Sequence, residues 1–321
     1  MTSDRPVVVA LGAVDPTLVN GVLCSGISFV AEPSADDLAV AVGAIARADA
    51  VVDNAFFEQA PRLRVVARTG VGVDLVDLAA ASARGIPVVI TPGSGTRAVA
   101  EGVLAFALHL VKRLGPLTRL IRESRWAERD EVAVGDLDGA RIGIVGYGRI
   151  GRRVGELATA FGMRVLAHDP FSPPPPDVAC PDLGALAAES DVLTMHVPLT
   201  EGTYHLVDTA FLAGTSPGAI LVNCGRGALV DLDAALAALE SSQLAGVGLD
   251  VFEPEPPEHH PLFDHPNAVL TPHVMGLTRR ATAATFADAA RGVLDVLAGH
   301  QPAAVANPDW AGIPVPTKED E

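Results

Sequence analysis

The densest run of chemistry-bearing positions is residues 141–151, Arg141-Ile142-Gly143-Ile144-Val145-Gly146-Tyr147-Gly148-Arg149-Ile150-Gly151. A short apolar strand runs into Gly146-x-Gly148-x-x-Gly151 and then into a helix, Arg152 to Phe161, stopped by Gly162. A second strand, Met163 to Ala167, ends at His168-Asp169. Gly146 permits a tight turn, Gly148 lets the backbone approach a pyrophosphate, and Gly151 allows the helix to pack closely on the strand. The free N–H groups and the helix dipole then favour phosphate. Asp169 lies 21 residues beyond Gly148, where the ribose-binding carboxylate of a dinucleotide site is expected. Three glycines alone often mark an ordinary turn; strand, glycines, helix, strand and terminal Asp in this order point to a dinucleotide. A carboxylate at 169 would repel a 2′-phosphate, and residues 170–180 contain no Arg or Lys, so NAD is expected rather than NADP.

Three further segments each begin as a buried strand and end in reactive side chains. Residues 220–231 deliver Cys224, Gly225 and Arg226; residues 246–256 deliver Asp250 and Glu255; residues 269–276 deliver His273. In a parallel sheet the carboxyl ends of the strands face the ligand crevice, so Arg, Glu and His would converge where the nicotinamide lies. Guanidinium is a natural fork for a carboxylate, and imidazole exchanges protons near neutral pH. Plainer readings exist: His273 after Thr271-Pro272 as a turn cap, and Arg226 as a structural ion pair. Glu253 competes with Glu255 for a place beside the imidazole.

Taken with Gly70-Val71-Gly72-Val73-Asp74, Val99-Ala100-Glu101 and His196-Val197-Pro198-Leu199-Thr200, these segments resemble the D-isomer-specific 2-hydroxy acid dehydrogenases. That family includes phosphoglycerate, glycerate, formate and D-lactate dehydrogenases, and the resemblance covers roughly residues 51–297. It implies an NAD-dependent enzyme that moves a hydride between nicotinamide and a small 2-hydroxy or 2-keto acid. Arg226 would bind the substrate carboxylate and polarise the carbonyl, His273 would be the general acid/base, and Glu255, directly before Pro256, its partner. A carboxylate on the other ring nitrogen would orient the ring and favour its protonated form. Gly70, Val71 and Gly72 would present backbone N–H groups to the substrate. Val71, Arg149, Ile150, Val197, Pro198, Thr203, Cys224, Gly225 and Asp250 would line the cofactor, beside Gly146, Gly148, Gly151 and Asp169. The resemblance also implies a Rossmann cofactor domain inserted into a flavodoxin-like substrate domain. One stretch departs from it: only Asp53-Asn54-Ala55 stands where the family has a longer loop over the substrate, often with a basic residue. Its shortness argues against a phosphorylated substrate, and the chain ends without the regulatory extension of some phosphoglycerate dehydrogenases.

The elements that must position these groups read as α/β, with strands alternating with helices and hence parallel pairing. Pro6 to Leu11, Ile27 to Ala31, Asp49 to Val52, Arg64 to Ala67 and Pro87 to Ile90 read as strands, with helices at Pro16 to Leu23 and at Ala-rich Asp36 to Ala48. Apolar residues at helical spacing make Arg97 to Leu114 a long helix crossing between domains, ended or kinked by Gly115-Pro116 and resuming from Leu117 to Arg125. A second α/β series runs from Arg141 to about Thr271, and Arg279 to Leu297 is a helix returning to the first domain. Two doubly wound domains follow: residues 1–92 with 273–321 for the substrate, and 93–272 for the cofactor. The tail beyond Trp310 and the proline run from Pro173 to Pro176 read as loop.

Length and composition agree with two soluble cores: 321 residues, 49% hydrophobic and 19% charged. A net charge of −16 opposes nucleic acid and anionic membranes as partners. No apolar run is long enough to span a bilayer, and Met1 to Pro6 lacks the build of a signal peptide. Cys24, Cys180 and Cys224 suggest no disulfide framework, so the cytoplasm is the expected location. His259, His260 and His265 match no helical ligand pair, so no metal is expected; Cys224 reads as packing, and His196 and His205 carry no signal of their own. A homodimer is expected through the helix Arg97 to Leu114 and Trp126. Two rival readings share the fold: an NAD-sensing corepressor-like binding protein, and oxidation of an unusual acid such as phosphite.

Overall fold

In a computed structural model the chain is described over residues 5–23 and 26–312. Cys24, the start of the segment weighed as a signal peptide and the end of the acidic tail lie outside the described residues. The chain divides into two units, Met1–Gly95 with Arg279–Glu321, and Thr96–Thr278. No helix among the described residues is long and apolar enough to cross a membrane.

The first unit contains β1 (Val7–Leu11), α1 (Pro16–Leu23), β2 (Ser28–Val30), α2 (Ala35–Val40), β3 (Ala41–Ala46), α3 (Asn54–Gln59), β4 (Val65–Arg68), α4 (Leu78–Ala83) and β5 (Val88–Val89). The second contains α5 (Thr96–Val111), α6 (Leu114–Arg122), β6 (Arg141–Val145), α7 (Arg149–Ala160), β7 (Arg164–His168), α8 (Leu183–Glu189) and β8 (Val192–Met195). It continues with α9 (Thr209–Ala213), β9 (Ala219–Asn223), α10 (Leu232–Glu240), β10 (Leu244–Leu249) and β11 (Ala268–Leu270). The last helix, α11 (Arg279–Leu297), belongs to the first unit. Every strand pair is parallel, in the orders β2-β1-β3-β4-β5 and β11-β10-β9-β8-β6-β7. Both sheets are therefore the doubly wound type read from the sequence.

The Ala-rich stretch expected as one helix is instead two elements. Ser34 and Asp37 form a capping box that starts α2, but the chain leaves the helix at Ala41 and becomes the central strand β3, paired with β1 and β4. Alanine's helix preference is a fraction of a kcal/mol per residue, and burial between two strands outweighs it. The small side chains suit that place: a Cβ on Gly43 would lie 3.0 Å from Val293 of α11, which covers this face with Phe286, Ala289, Ala290 and Val296. Asp49 to Val52 is not a strand either; Val52 makes a single bridge to Val76. The break after α5 falls at Arg113, whose φ of 53° is left-handed, and Gly115-Pro116 lie in the first turn of α6.

Arg68 organises the loops at the carboxyl ends of β3 and β4. It is buried, and its guanidinium donates to the carbonyls of Gly72 at 3.1 Å, Ala50 at 3.2 Å and Ala48 at 3.0 Å, and also to that of Arg47. Replacing Arg68 by Met removes these donors at once. Since one buried unsatisfied group costs about 1–3 kcal/mol, we expect a loss of roughly 3 kcal/mol, read as a lower urea midpoint. An unchanged midpoint would mean that water replaces the guanidinium without cost.

Candidate active site

The second sheet changes winding direction beside β6: the chain passes from β6 to β7 on one side, then returns to β8 on the other. Such a switch point opens a crevice at the carboxyl ends of the strands. Gly146, at φ 92°, turns the chain there, and a Cβ at this position would sit 2.8 Å from the His196 carbonyl carbon. A Cβ on Gly151 would lie 2.1 Å from the Gly146 oxygen, so α7 can begin only with glycine there. Gly148 caps α7, and the space its Cβ would take is open. A closed turn below and open space above fit a pyrophosphate laid on the helix N-terminus. Arg149 is exposed at the first helical position, while Ile150 packs on the core.

Asp169 follows β7 directly. Its Oδ2 accepts from Tyr147 N at 2.8 Å, and its Oδ1 accepts from Phe171 N at 2.8 Å and Ser172 N at 2.9 Å. The carboxylate is thereby fixed beside the glycine turn, and it fits the ribose hydroxyls that a dinucleotide would bring.

Three adjacent strands supply the other groups. β9 runs into Asn223, whose side chain donates to the Arg226 carbonyl at 2.7 Å and accepts from Gly225 N at 2.9 Å. This holds the turn that carries the half-buried Arg226, whose Nη1 donates to the Gly225 carbonyl at 2.8 Å. β10 runs into Asp250, which is 2% exposed. Its carboxylate accepts from the Thr271 hydroxyl at 2.6 Å, Val274 N at 2.9 Å and Met275 N at 3.0 Å, gripping the loop after β11. Within that loop His273 has a φ of 52°, a left-handed conformation uncommon outside glycine. Its N–H donates to the Asp250 carbonyl at 2.7 Å. The ring's Nδ1 lies 2.7 Å from Glu255 Oε2, and Glu255 Oε1 accepts from Phe252 N at 3.0 Å. Glu255, rather than Glu253, is the carboxylate on the imidazole, and Nε2 is the nitrogen turned from it.

Residues 104–275 match the sequence profile described as D-isomer specific 2-hydroxyacid dehydrogenase, NAD binding domain. The chain belongs to the D-isomer-specific 2-hydroxyacid dehydrogenase family. It is 37% identical over 242 residues to a D-3-phosphoglycerate dehydrogenase of Synechocystis, covering 74% of this chain and 44% of that one. It is 36% identical over 269 residues to a glyoxylate reductase of Thermococcus litoralis, covering 80% and 81%. Among solved structures, an NADPH-dependent glyoxylate/hydroxypyruvate reductase of Sinorhizobium meliloti in complex with citrate superposes with a TM-score of 0.84 at 28% identity, covering 95% of this chain and 99% of that one. The chain spans about half the length of the phosphoglycerate dehydrogenases it matches.

Around this crevice the remaining sequence candidates take varied places. Val197 and Pro198 follow β8 against the glycine turn, where Val197 would be 3.0 Å from a Cβ on Gly146. Thr203 uses its hydroxyl to close the 198–203 turn, donating to the Pro198 carbonyl at 2.7 Å. Burial pushes the Cys224 thiol well above its ordinary range, with the charge of Asp250 adding to it, so it is no thiolate nucleophile. His196 is buried, which lowers its pKa to about 4 and keeps it neutral. In the first unit, Gly70 has a φ of 143° and Val71 is exposed; Gly72 gives its carbonyl to Arg68. Asp53 caps α3 through Phe56 N at 2.9 Å, and Asn54 is bonded to Glu58 and Arg84. His259 pairs with Asp264 at 3.2 Å and His260 with Asp233 at 3.1 Å. No group of three His, Cys, Asp or Glu able to hold a metal occurs among the described residues.

Sequence reasoning missed Gly227, Arg152 and the supports from α5. A Cβ on Gly102 of α5 would be 2.5 Å from Met275 Sδ, so this helix backs the loop that carries His273. Gly246 and Gly248 of β10 leave room for Leu110 and Phe106 of the same helix. The paired glycines before Asp250 were the available signal, since glycine inside a strand marks a close approach.

Proposed function

We propose that this chain is an NAD-dependent oxidoreductase acting on a small D-2-hydroxy acid or its 2-keto acid. The observation that carries the reading is the 2.7 Å contact between His273 Nδ1 and Glu255, on the same sheet edge as Arg226 and the glycine cradle. When bound, nicotinamide supplies or accepts the hydride. Arg226 holds the substrate carboxylate as a fork and withdraws charge from the adjacent carbonyl oxygen. His273 Nε2 gives that oxygen its proton during reduction and removes it during oxidation. Glu255 fixes the ring so that Nε2 faces the substrate. Asp250 positions His273 through the loop it grips, and Asp169 selects the ribose. In the first unit we assign Gly70, at φ 143°, exposed Val71 and Gly72 to substrate binding.

A cytoplasmic homodimer completes the proposal. Support for the dimer comes from Leu114, Ile121, Trp126 and Val134, large apolar residues exposed in and after α6. The free thiols of Cys180 and Cys224 accord with a reducing compartment.

The test is NADH oxidation by purified protein against glyoxylate, hydroxypyruvate, pyruvate, branched and aromatic 2-keto acids, and 3-phosphohydroxypyruvate. We expect turnover of an unphosphorylated acid, and reverse reaction with its D-isomer only. NADH binding without turnover of any keto acid would defeat the proposal and favour the sensor reading.

A further inference from the structure

Tyr147 and Ser172 each bond both Asp169 and Arg152. Their backbone N–H groups donate to the Asp169 carboxylate. Arg152 of α7 donates through Nε to the Tyr147 carbonyl at 3.0 Å and through Nη2 to the Ser172 hydroxyl at 2.9 Å. Its guanidinium carbon lies 5.9 Å from the centre of the Tyr147 ring. Both hydrogen-bond partners are neutral, so they fix the guanidinium without cancelling its charge, and they engage two of its five N–H groups. The next residue behaves differently: Arg153 pairs with Glu156 at 2.6 Å.

A ribose bonded to Asp169 therefore has a fixed guanidinium and a hydroxyl as the next groups on the same turn. Absence of Arg or Lys from residues 170–180 does not leave the acid alone, because the cation arrives from the helix. A 2′-phosphate there is repelled by Asp169 and attracted by Arg152, which offers charge-assisted donors of the kind phosphate takes best. We propose that Arg152 and Ser172 form a 2′-phosphate-accepting subsite beside Asp169, so that the chain binds NADPH as well as NADH, with the preference set by Arg152 against Asp169. This rests on the cofactor reading above.

The test is calorimetric titration of the full chain with NADH and with NADPH, comparing the ratio of the two Kd values so that general damage to the site cancels. The wild type is expected to bind both, NADH more tightly. Arg152→Gln should weaken NADPH relative to NADH by about tenfold, the worth of one charge-assisted contact. Asp169→Asn should shift the ratio toward NADPH by at least about tenfold, and adding Arg152→Gln to it should reverse most of that gain. Thermal melting of each variant identifies any that fails to fold, and Arg152→Gln, with Asp169 intact, gives its own answer. A ratio indifferent to Arg152 in both backgrounds, with NADH still bound, overturns the subsite alone. A wild type that binds neither dinucleotide overturns the cofactor reading and the subsite with it.

Discussion

Replacing His273 by Asn should lower kcat/KM by about a thousandfold, within the usual range for losing a general acid/base, while leaving NADH affinity close to wild type. Asn is the informative choice because position 273 has a φ of 52°, and Asn tolerates the left-handed region better than other residues outside glycine. The two bonds from the His273 N–H, to Asp250 and Thr271, then survive, and the loop keeps its shape. Any loss is therefore chemical rather than conformational. Glu255→Gln should cost less, about 10- to 100-fold in kcat, because Gln can still bond the ring and Phe252 N but carries no charge to balance a protonated imidazole. Its KM should move little, since Glu255 faces the imidazole rather than the substrate. A His273→Asn enzyme within tenfold of wild type would remove the imidazole from the mechanism, and Glu255→Gln more damaging than His273→Asn would reverse their roles.

The parts legible in the sequence are those whose constraints are local. Gly146, Gly148, Gly151 and Asp169 could be read together because a turn, a cap and a strand end all fall within one βαβ unit. The placement of Arg226 and His273 at strand ends followed from the short apolar runs before them. What could not be read depends on contacts between distant segments. The Ala41–Ala46 stretch looks helical by composition, and only the sheet on either side makes it a strand. The Asp250 carboxylate accepts from residues 271, 274 and 275, a contact that no spacing rule contains. Arg152 lies within that same βαβ unit, but no spacing rule says that its side chain turns back to the Tyr147 carbonyl and the Ser172 hydroxyl.

Gly227 shows how narrow such a contact can be. A Cβ at this position would lie 2.0 Å from the Phe252 carbonyl carbon, 2.2 Å from its oxygen and 2.5 Å from its Cα. These are backbone atoms and cannot swing aside as a flexible side chain would. Phe252 N is also the donor that fixes Glu255, so the turn after Arg226 and the turn bearing Glu255 touch at this one glycine. Gly227→Ala must push them apart. Overpacking of a well-filled site costs about 1–3 kcal/mol, and we expect the upper end of that range, read as a lower urea midpoint. The catalytic loss should be larger in proportion: an ångström of misplacement is worth about a hundredfold, and here Arg226 and the Glu255–His273 pair are displaced against each other. NADH affinity should fall far less, because Gly146, Gly148 and Gly151 sit after β6 and do not touch this contact. Gly21→Ala in α1 is the matching control, since a Cβ there meets nothing within 4 Å and should leave the midpoint unchanged or raise it by up to about 1 kcal/mol. If Gly227→Ala kept both stability and turnover, the two turns would be free to move apart, and the preorganisation of Arg226 with Glu255 and His273 would have to come from the bound substrate rather than from the fold.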